Sequence, residues 1–188
     1  MAVYRQEFLD ALTLLAQACN DMAAKGRLRP VLVGGAAVEF HTGSAMVSGD
    51  FDFVTADQRE FEEILLVYGF KREDRPGWFQ MGLYHPELSL GVQVVSGELF
   101  DGKCEWAKIQ LVEVGEDGTV VPIAGIEDMI ADRLGQFVAS AQRDHEMLDQ
   151  AVKLFQLADS LDGAYLEKRI REDTIGELGA GYLRERAG

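Results

Sequence analysis

Two aspartates, Asp50 and Asp52, are the residues of this sequence whose type and spacing point most directly to chemistry. They alternate with Phe51 and Phe53, a pattern that predicts a strand with one wet face. Residues two apart on a strand project from the same face, so the two carboxylates can share a hard cation such as Mg²⁺. Without a cation the like charges repel each other. An Asp-x-Asp pair also occurs on solvated strand edges, so the pair needs support from elsewhere.

A glycine pair, Gly34-Gly35, lies between the apolar run 31–33 and residues 36–40, which are predicted to begin a short helix. Glycines let a ligand approach the backbone, and a helix N-terminus offers unpaired N–H groups to a phosphate. A tight strand-to-helix turn without a ligand explains the pair equally simply. The order of strand, glycine turn, helix, serine-bearing loop and Asp-x-Asp strand is more informative than either part alone.

This combination resembles the nucleotidyltransferase superfamily, in particular its small bacterial and archaeal members, which include abortive-infection toxins and minimal nucleotidyltransferases. The matching residues are 31–38 and 48–53, with a weaker match through 122–130 and 143–144. The resemblance implies that Gly34, Gly35 and Ser48 contact the triphosphate of a nucleoside triphosphate. It also implies that Asp50 and Asp52 bind Mg²⁺ or Mn²⁺, which activates an acceptor hydroxyl and stabilises the leaving pyrophosphate.

Two further positions bear on such a site. Arg143 begins a long predicted helix and can reach a phosphate at a cleft between sheet and helices, although a solvated first turn explains it as well. The family's third carboxylate is expected in the strand over 88–96, where this sequence has Gln93. A glutamine coordinates a cation weakly and cannot act as a base. Glu98 or Asp101, just past this strand, are the alternative sources of a carboxylate.

Three functions fit these residues. The first is metal-dependent transfer of a nucleoside monophosphate from a nucleoside triphosphate to a hydroxyl of RNA or of a protein, in a toxin–antitoxin or defence system. The second is a non-catalytic nucleotide-binding or protein-interaction module, for which Gln93 is the chief support. The third is a purely structural α+β protein, which predicts no cleft beside the glycine pair.

The composition limits the possible partners. Apolar residues make up 47% of the 188 residues and charged residues 27%, which is typical of a globular protein. A formal charge of -14 opposes unaided binding to nucleic acid or to an anionic membrane, so a phosphate ligand is expected to arrive with a divalent cation. Two cysteines without disulfide or zinc spacing fit a reducing cytoplasm. We expect no signal peptide and no membrane span.

The hydrophobic periodicity predicts an α+β fold, with a mixed sheet flanked by helices and followed by a C-terminal helical region. We expect a nucleotidyltransferase-like core with an N-terminal helix over residues 1–120 and the helical region over 121–188. The apolar stripe of residues 126–157 is expected to pack onto the sheet or onto a second subunit, as in a homodimer. Helices are predicted at 4–24, 57–67, 125–140, 143–160 and 164–173, and further strands within 67–73, 77–85, 88–96 and 106–114.

Overall fold

The computed structural model describes residues 4–72, 82–115 and 118–187, which form one mixed sheet of seven strands flanked by helices. The predicted α+β fold is confirmed. The helices are α1 Gln6–Ala24, α2 Gly34–His41, α3 Gln58–Val67, α4 Ile126–Ala139, α5 His145–Leu157, α6 Gly163–Asp173 and α7 Ala180–Ala187. The strands are β1 Val31–Val33, β2 Asp50–Val54, β3 Lys71–Arg72, β4 Leu83–His85, β5 Leu90–Ser96, β6 Gln110–Val114 and β7 Thr119–Ile123.

The strand order is β3-β4-β5-β2-β1-β7-β6. Strands β2 and β5 are parallel, as are β1 and β7, and the other neighbours are antiparallel. Most predicted elements are found near their expected bounds. The strand predicted within 67–73 begins only at Lys71, because α3 continues to Val67. Most of the strand predicted over 77–85 lies outside the described residues.

Strand β7 was not predicted, although it lies inside the sheet between β1 and β6. It contains Pro122, which has no N–H to donate and is rare in central strands. The strand is nevertheless held on one side by pairing of its Ile123 with Leu32 of β1, and on the other by an antiparallel ladder with β6. The sheet therefore extends past residue 120. The Gly-punctuated tail, for which no helix was predicted, contains α7.

The two faces of the sheet have different roles. Helix α1 packs on one face, where Phe8 stacks on Phe51 at 5.6 Å, and α3 contributes Phe61 against Phe53 at 5.2 Å. Side chains alternate along a strand, so the acidic residues of β2 project from the opposite face. Asp132 and Arg133 of α4 act electrostatically on Asp52 of that face. The alternation that suggested chemistry thus separates a packed face from a polar one.

A buried ionic network anchors α4 to α6. The Asp128 carboxylate and the Arg169 guanidinium are both fully buried, with 2.6 Å between Oδ1 and Nε. The Tyr165 hydroxyl donates to Asp128 at 2.9 Å, and Nη2 of Arg169 donates to Asp173 at 2.9 Å. Removing one member of a buried pair leaves an uncompensated charge, so this network holds α4 in one position over the sheet. No helix in the described part of the chain is long and apolar enough to cross a membrane.

Candidate functional site

The register of three strands brings the predicted acidic residues to the end of β1. Asp52 lies opposite Val33 of β1 and opposite Gln93 of β5, and Asp50 lies opposite Gly91. Paired residues on neighbouring strands point to the same face of a sheet. A Cβ atom at Gly91 would lie 2.4 Å from Oδ1 of Asp50, so the glycine makes room for this carboxylate.

The glycine pair is shaped around two other polar side chains of the site. Gly34 has a φ of +65°, which disfavours residues with a Cβ, and a Cβ there would lie 2.0 Å from Oδ2 of Asp52. A Cβ at Gly35 would lie 2.6 Å from the Ser48 hydroxyl. The backbone N–H of Gly35 faces the Asp52 carboxyl and partly offsets the burial that raises its pKa. The structure therefore brings Gly34 and Gly35 against Asp52 and Ser48, as the sequence pattern suggested.

A buried carboxylate that was not predicted positions Ser48. Glu39 of α2 is completely buried and accepts from Nε of Arg5 at 2.6 Å, from the Ser44 hydroxyl at 2.9 Å and from the Ser48 N–H at 2.7 Å. Arg5 also donates to the Ser48 carbonyl at 2.6 Å, and the Ser48 hydroxyl donates to the Asp50 carbonyl at 2.9 Å. The loop between α2 and β2 is thus fixed by one ion pair that joins α1 to α2.

Glu39→Gln is expected to destabilise the fold at pH 7 by about 1–3 kcal/mol, because a neutral amide replaces a buried, hydrogen-bonded charge. Burial raises the pKa of Glu39, but hydrogen bonds from Arg5, Ser48 and Ser44 outweigh it, and the net pKa is lowered. A carboxyl with a lowered folded pKa stabilises above its unfolded pKa of roughly 4.3 and loses that contribution as the pH falls through the folded value.

The gap in unfolding free energy between wild type and Glu39→Gln should therefore narrow as the pH falls below about 4. Urea denaturation of both proteins at pH 7 and at a pH below about 4 measures this difference. Glu113→Gln, at an exposed position of β6, is the matched control and should leave stability unchanged. A gap of equal size at both pH values would contradict the assignment of the stability to the Glu39 charge.

Helix α4 contributes a cation that the sequence analysis missed. Arg133 is only 5% exposed, and its Nη1 lies 3.5 Å from the Met147 sulfur and 3.5 Å from Oδ2 of Asp132. Its buried Nε has no hydrogen-bond partner in the part of the chain that the structure describes. A buried guanidinium is costly unless its donors are paired, so these donors are suited to an anion.

The charge of Arg133 acts on Asp52 of β2. Burial raises the pKa of the Asp52 carboxyl, and this is the largest effect. Arg133 opposes the shift, whereas Asp50 and Asp132 raise the pKa further. The site thus places a repelling pair of carboxylates near a buried guanidinium whose Nε has no hydrogen-bond partner in the described part of the chain.

Solved structures resemble the whole chain. An antigenic nucleotidyltransferase-like protein from Paracoccidioides brasiliensis gives a TM-score of 0.60 at 14% identity, covering 98% of this chain and 90% of that one. ANT(2'')-Ia in complex with adenylyl-2''-tobramycin gives 0.57 at 12% identity, covering 96% and 98%. The chain has a nucleotidyltransferase-like fold. At these identities the likeness establishes the fold alone. No family model and no curated protein sequence matches the chain.

On this nucleotidyltransferase-like fold, Arg143 lies in the turn before α5, which begins two residues later than predicted. Its guanidinium pairs with Glu177 and lies 5.4 Å from the centre of the Phe137 ring. Asp144, beside it, caps α5 by accepting from the Glu146 N–H at 3.1 Å. These contacts belong to the helical region, so a role of Arg143 in nucleotide binding stays a prediction.

The two candidates for a third carboxylate lie elsewhere in the nucleotidyltransferase-like fold. Strand β5 ends at Ser96, whose carbonyl accepts from the Thr55 N–H at 3.1 Å, at the end of β2 remote from Asp50. Glu98 follows there and lines a separate cavity with Val31. Asp101 lines another cavity, beside α4. Among residues 4–72, 82–115 and 118–187, no three His, Cys, Asp or Glu side chains could hold one metal ion.

Proposed function

We propose that this protein is a metal-dependent nucleotidyltransferase, which transfers a nucleoside monophosphate from a nucleoside triphosphate to a hydroxyl acceptor. The observation that carries the proposal is that two repelling carboxylates and a buried guanidinium lie close to the glycine turn. Asp50 and Asp52 face the same side of the sheet and repel each other, whereas Arg133 is buried with an unpartnered Nε among the described residues. A complex of a divalent cation with a nucleotide satisfies both.

The residues present fit a hard divalent cation. Asp50 and Asp52 supply carboxylate oxygens on one face, and Gln93, opposite Asp52 in the register, is proposed as a weak neutral ligand. The close approach of Gly34 to Asp52 and of Gly91 to Asp50 limits where these carboxylates can point. Mg²⁺ or Mn²⁺ held there would neutralise charge on the transferred phosphoryl group and lower the pKa of the acceptor hydroxyl.

The chain's own groups would bind and orient the triphosphate. The N-terminus of α2, at Gly34 and Gly35, presents backbone N–H groups, and the Ser48 hydroxyl lies against the same turn. Arg133 would donate charge-assisted hydrogen bonds to phosphate oxygens from the side of α4. Arg143 is proposed as an outer phosphate contact, which requires its pair with Glu177 to open.

The acceptor and the biological setting follow from resemblance and charge. ANT(2'')-Ia was solved with an adenylylated tobramycin, which supports nucleotidyl transfer to a hydroxyl as a use of this fold. RNA or protein acceptors and a toxin–antitoxin or defence role are proposed from the family resemblance, although a charge of -14 opposes RNA. Both cysteines are free thiols, which fits the proposed cytoplasmic location. A homodimer through the helical region is compatible with this function.

The alternative function is nucleotide binding without transfer. It is favoured by Gln93, a neutral side chain beside Asp52, and by the absence of a three-residue metal cluster from the described segments. Such a module would still bind the metal–nucleotide complex. Only the formation of pyrophosphate separates the two functions.

Thermal unfolding of the protein with each of ATP, GTP, CTP and UTP, with and without Mg²⁺ or Mn²⁺, tests the proposal. A ligand that binds only the native state stabilises it by about 2.7 kcal/mol at a hundred times its Kd. We expect a higher midpoint only when a nucleotide and a metal are present together. No shift with any nucleotide would exclude both functions. A shift without pyrophosphate release would leave the non-catalytic module.

A further inference from the structure

We propose that a cavity at the end of the sheet remote from Asp50 binds a small α-amino acid with an apolar side chain. The cavity lies where β1 begins and β2 ends, at the pair of Val31 and Val54, whereas the glycine turn follows the other end of β1. The proposal therefore does not depend on nucleotidyl transfer. The walls, the charges and the backbone of the cavity each complement one part of such a ligand.

The walls of the cavity are apolar, and its volume is about 260 Å³. Val31, Val54 and Leu99 line it with side chains that are at most 7% exposed. Leu28 and Trp106 also line it, and they remain 69% and 66% exposed. Pockets for drug-sized ligands hold roughly 300 to 1,000 Å³, so this cavity is suited to a smaller molecule. A branched aliphatic chain or a single ring would cover the exposed apolar surface.

Two donors of the cavity are suited to a carboxylate. Arg29 donates from Nε to Asn20 at 2.9 Å, but no acidic side chain in the described part of the chain forms an ion pair with it. The hydroxyl of Thr55, a buried residue, accepts from the Asp57 N–H at 3.2 Å. Within the described segments no acceptor is found for the hydroxyl's own proton. A ligand carboxylate would accept from both groups, and its bond with the guanidinium is charge-assisted.

One carboxylate of the cavity is available to an ammonium group. The side chain of Glu98 lines the cavity and forms no ion pair or hydrogen bond with the described residues. A Cβ atom at Gly102 would lie 2.9 Å from Oε1 of Glu98, so this glycine makes room for the carboxylate. The other carboxylate of the cavity, on Asp57, already lies 3.3 Å from Nη1 of Arg27. Glu98 is therefore the group that would bind the ammonium.

The segment 98–104 is held in a strained conformation beside the cavity. Phe100 and Asp101 have positive φ values of 47° and 54°, which are unfavourable for residues with a Cβ. Strained backbone of this kind is concentrated at ligand sites. Cys104, which also lines the cavity, donates to the Asp128 carboxylate at 3.3 Å and so ties the segment to the buried network of α4 and α6. The segment is thus positioned before a ligand binds, which lowers the cost of binding.

Charge separates an amino acid from other small ligands. A phosphate or a dicarboxylate would bring an additional negative charge against Glu98. A neutral apolar molecule would cover Arg29 and the Thr55 hydroxyl without giving either an acceptor. A zwitterion with an apolar side chain supplies one charge to each of the unpaired groups and fills the space between the valines.

Isothermal titration of the protein with L-leucine and with L-phenylalanine tests the proposal, and we expect at least one of them to bind. Their amines, 3-methylbutylamine and 2-phenylethylamine, lack the carboxylate. Their acids, 4-methylpentanoate and 3-phenylpropanoate, lack the ammonium. Each loss should weaken binding by about 10- to 150-fold, which corresponds to one hydrogen bond to a charged group. Glycine, which lacks the side chain, should not bind detectably.

Two variants place the ligand in this cavity. Glu98→Gln should weaken binding of the amino acid by about 10- to 150-fold and leave binding of the matching acid unchanged. Gly97→Leu should abolish binding, because Gly97 lines the cavity and a Cβ there meets Thr55 and Ala56 at an acceptable 4.0 Å. The ligand-free unfolding midpoint shows that each variant folds. Glu113→Gln, on the exposed side of β6, is the matched control.

Three results would overturn the inference. The first is a wild type that binds neither amino acid. The second is an amine or an acid that binds as tightly as its amino acid, since the cavity would then not recognise a zwitterion. The third is binding that survives in both Glu98→Gln and Gly97→Leu, which would place the ligand elsewhere. The proposed nucleotide site is tested separately by the midpoint shift with nucleotide and metal.

Discussion

Asp52→Asn is expected to abolish the rise in unfolding midpoint that Mg²⁺ and a nucleoside triphosphate produce together, and Asp50→Asn is expected to do the same. Each substitution removes one of the two charged oxygen ligands of a hard cation, and a neutral amide binds such a cation far less well. Because the triphosphate is expected to bind as its metal complex, nucleotide binding is lost with the metal. Thermal unfolding over a series of nucleotide concentrations measures the loss.

The same variants should fold as well as the wild type. Burial and the charge of Asp50 disfavour the ionised Asp52 carboxyl, whose pKa is raised. A carboxyl with a raised folded pKa destabilises the fold once the pH exceeds its unfolded value of roughly 3.9. Asp52→Asn should therefore leave the ligand-free midpoint at pH 7 equal or higher. Asp10→Asn, at an exposed position of α1, is the matched control and should change neither property. If Asp52→Asn retains the full nucleotide-dependent rise in midpoint, the nucleotide does not bind at this site.

The parts of the site that the sequence revealed are those whose evidence is local. The glycine pair and the Asp-x-Asp pair each signal their geometry within a few residues, through turn chemistry and the two-residue period of a strand. Their contact depends on pairing of Val33 with Asp52, which sequence spacing alone does not give. The resemblance to a known family supplied that step. The geometry then explains why a side chain at Gly34 would displace Asp52.

The missed residues are polar side chains within apolar patterns. Arg133 lies three residues after Ile130 and four before Phe137, on the stripe that α4 buries. The stripe was interpreted as helix packing, and the charge within it was overlooked. Glu39 is buried in α2 in the same way, beside Val38. A charge on a buried stripe is expensive unless it is paired, and that cost is the signal that could have identified both.

Strand β7 was missed for a different reason. Its sequence is short and contains Pro122, so the local pattern favoured a junction between two regions. Residues 119–123 form a strand because they pair with β1 on one side and with β6 on the other. This strand leads directly into α4 and so helps to set the position of Arg133 relative to Asp52. The position of a site residue here depends on a strand that local propensity does not reveal.

Arg133→Met is expected to weaken binding of the metal–nucleotide complex by about 10- to 150-fold, which corresponds to the 1.5–3 kcal/mol of a hydrogen bond to a charged group. Methionine has a similar length and fills the same apolar stripe. The close partners of the guanidinium in the described chain are the Met147 sulfur and the Asp132 carboxylate. Its loss leaves Asp132 and Asp52 without this cation, so the ligand-free unfolding free energy should also fall, and urea denaturation measures that effect separately. Isothermal titration with ATP and Mg²⁺ measures the affinity.

Arg143→Met is the matched control, since it also removes one guanidinium from the helical region. Arg143 is half exposed and pairs with Glu177, and an exposed ion pair contributes about 0–1 kcal/mol. Because a phosphate contact by Arg143 requires this ion pair to open first, the loss of Arg143 should lower the affinity much less than the loss of Arg133. The reverse order would make Arg143, the residue chosen from the sequence, the phosphate ligand, and Arg133 a buried cation that only counters the carboxylates around it. If both variants bind the metal–nucleotide complex as tightly as the wild type, neither arginine contacts the triphosphate, and the glycine turn alone would bind it.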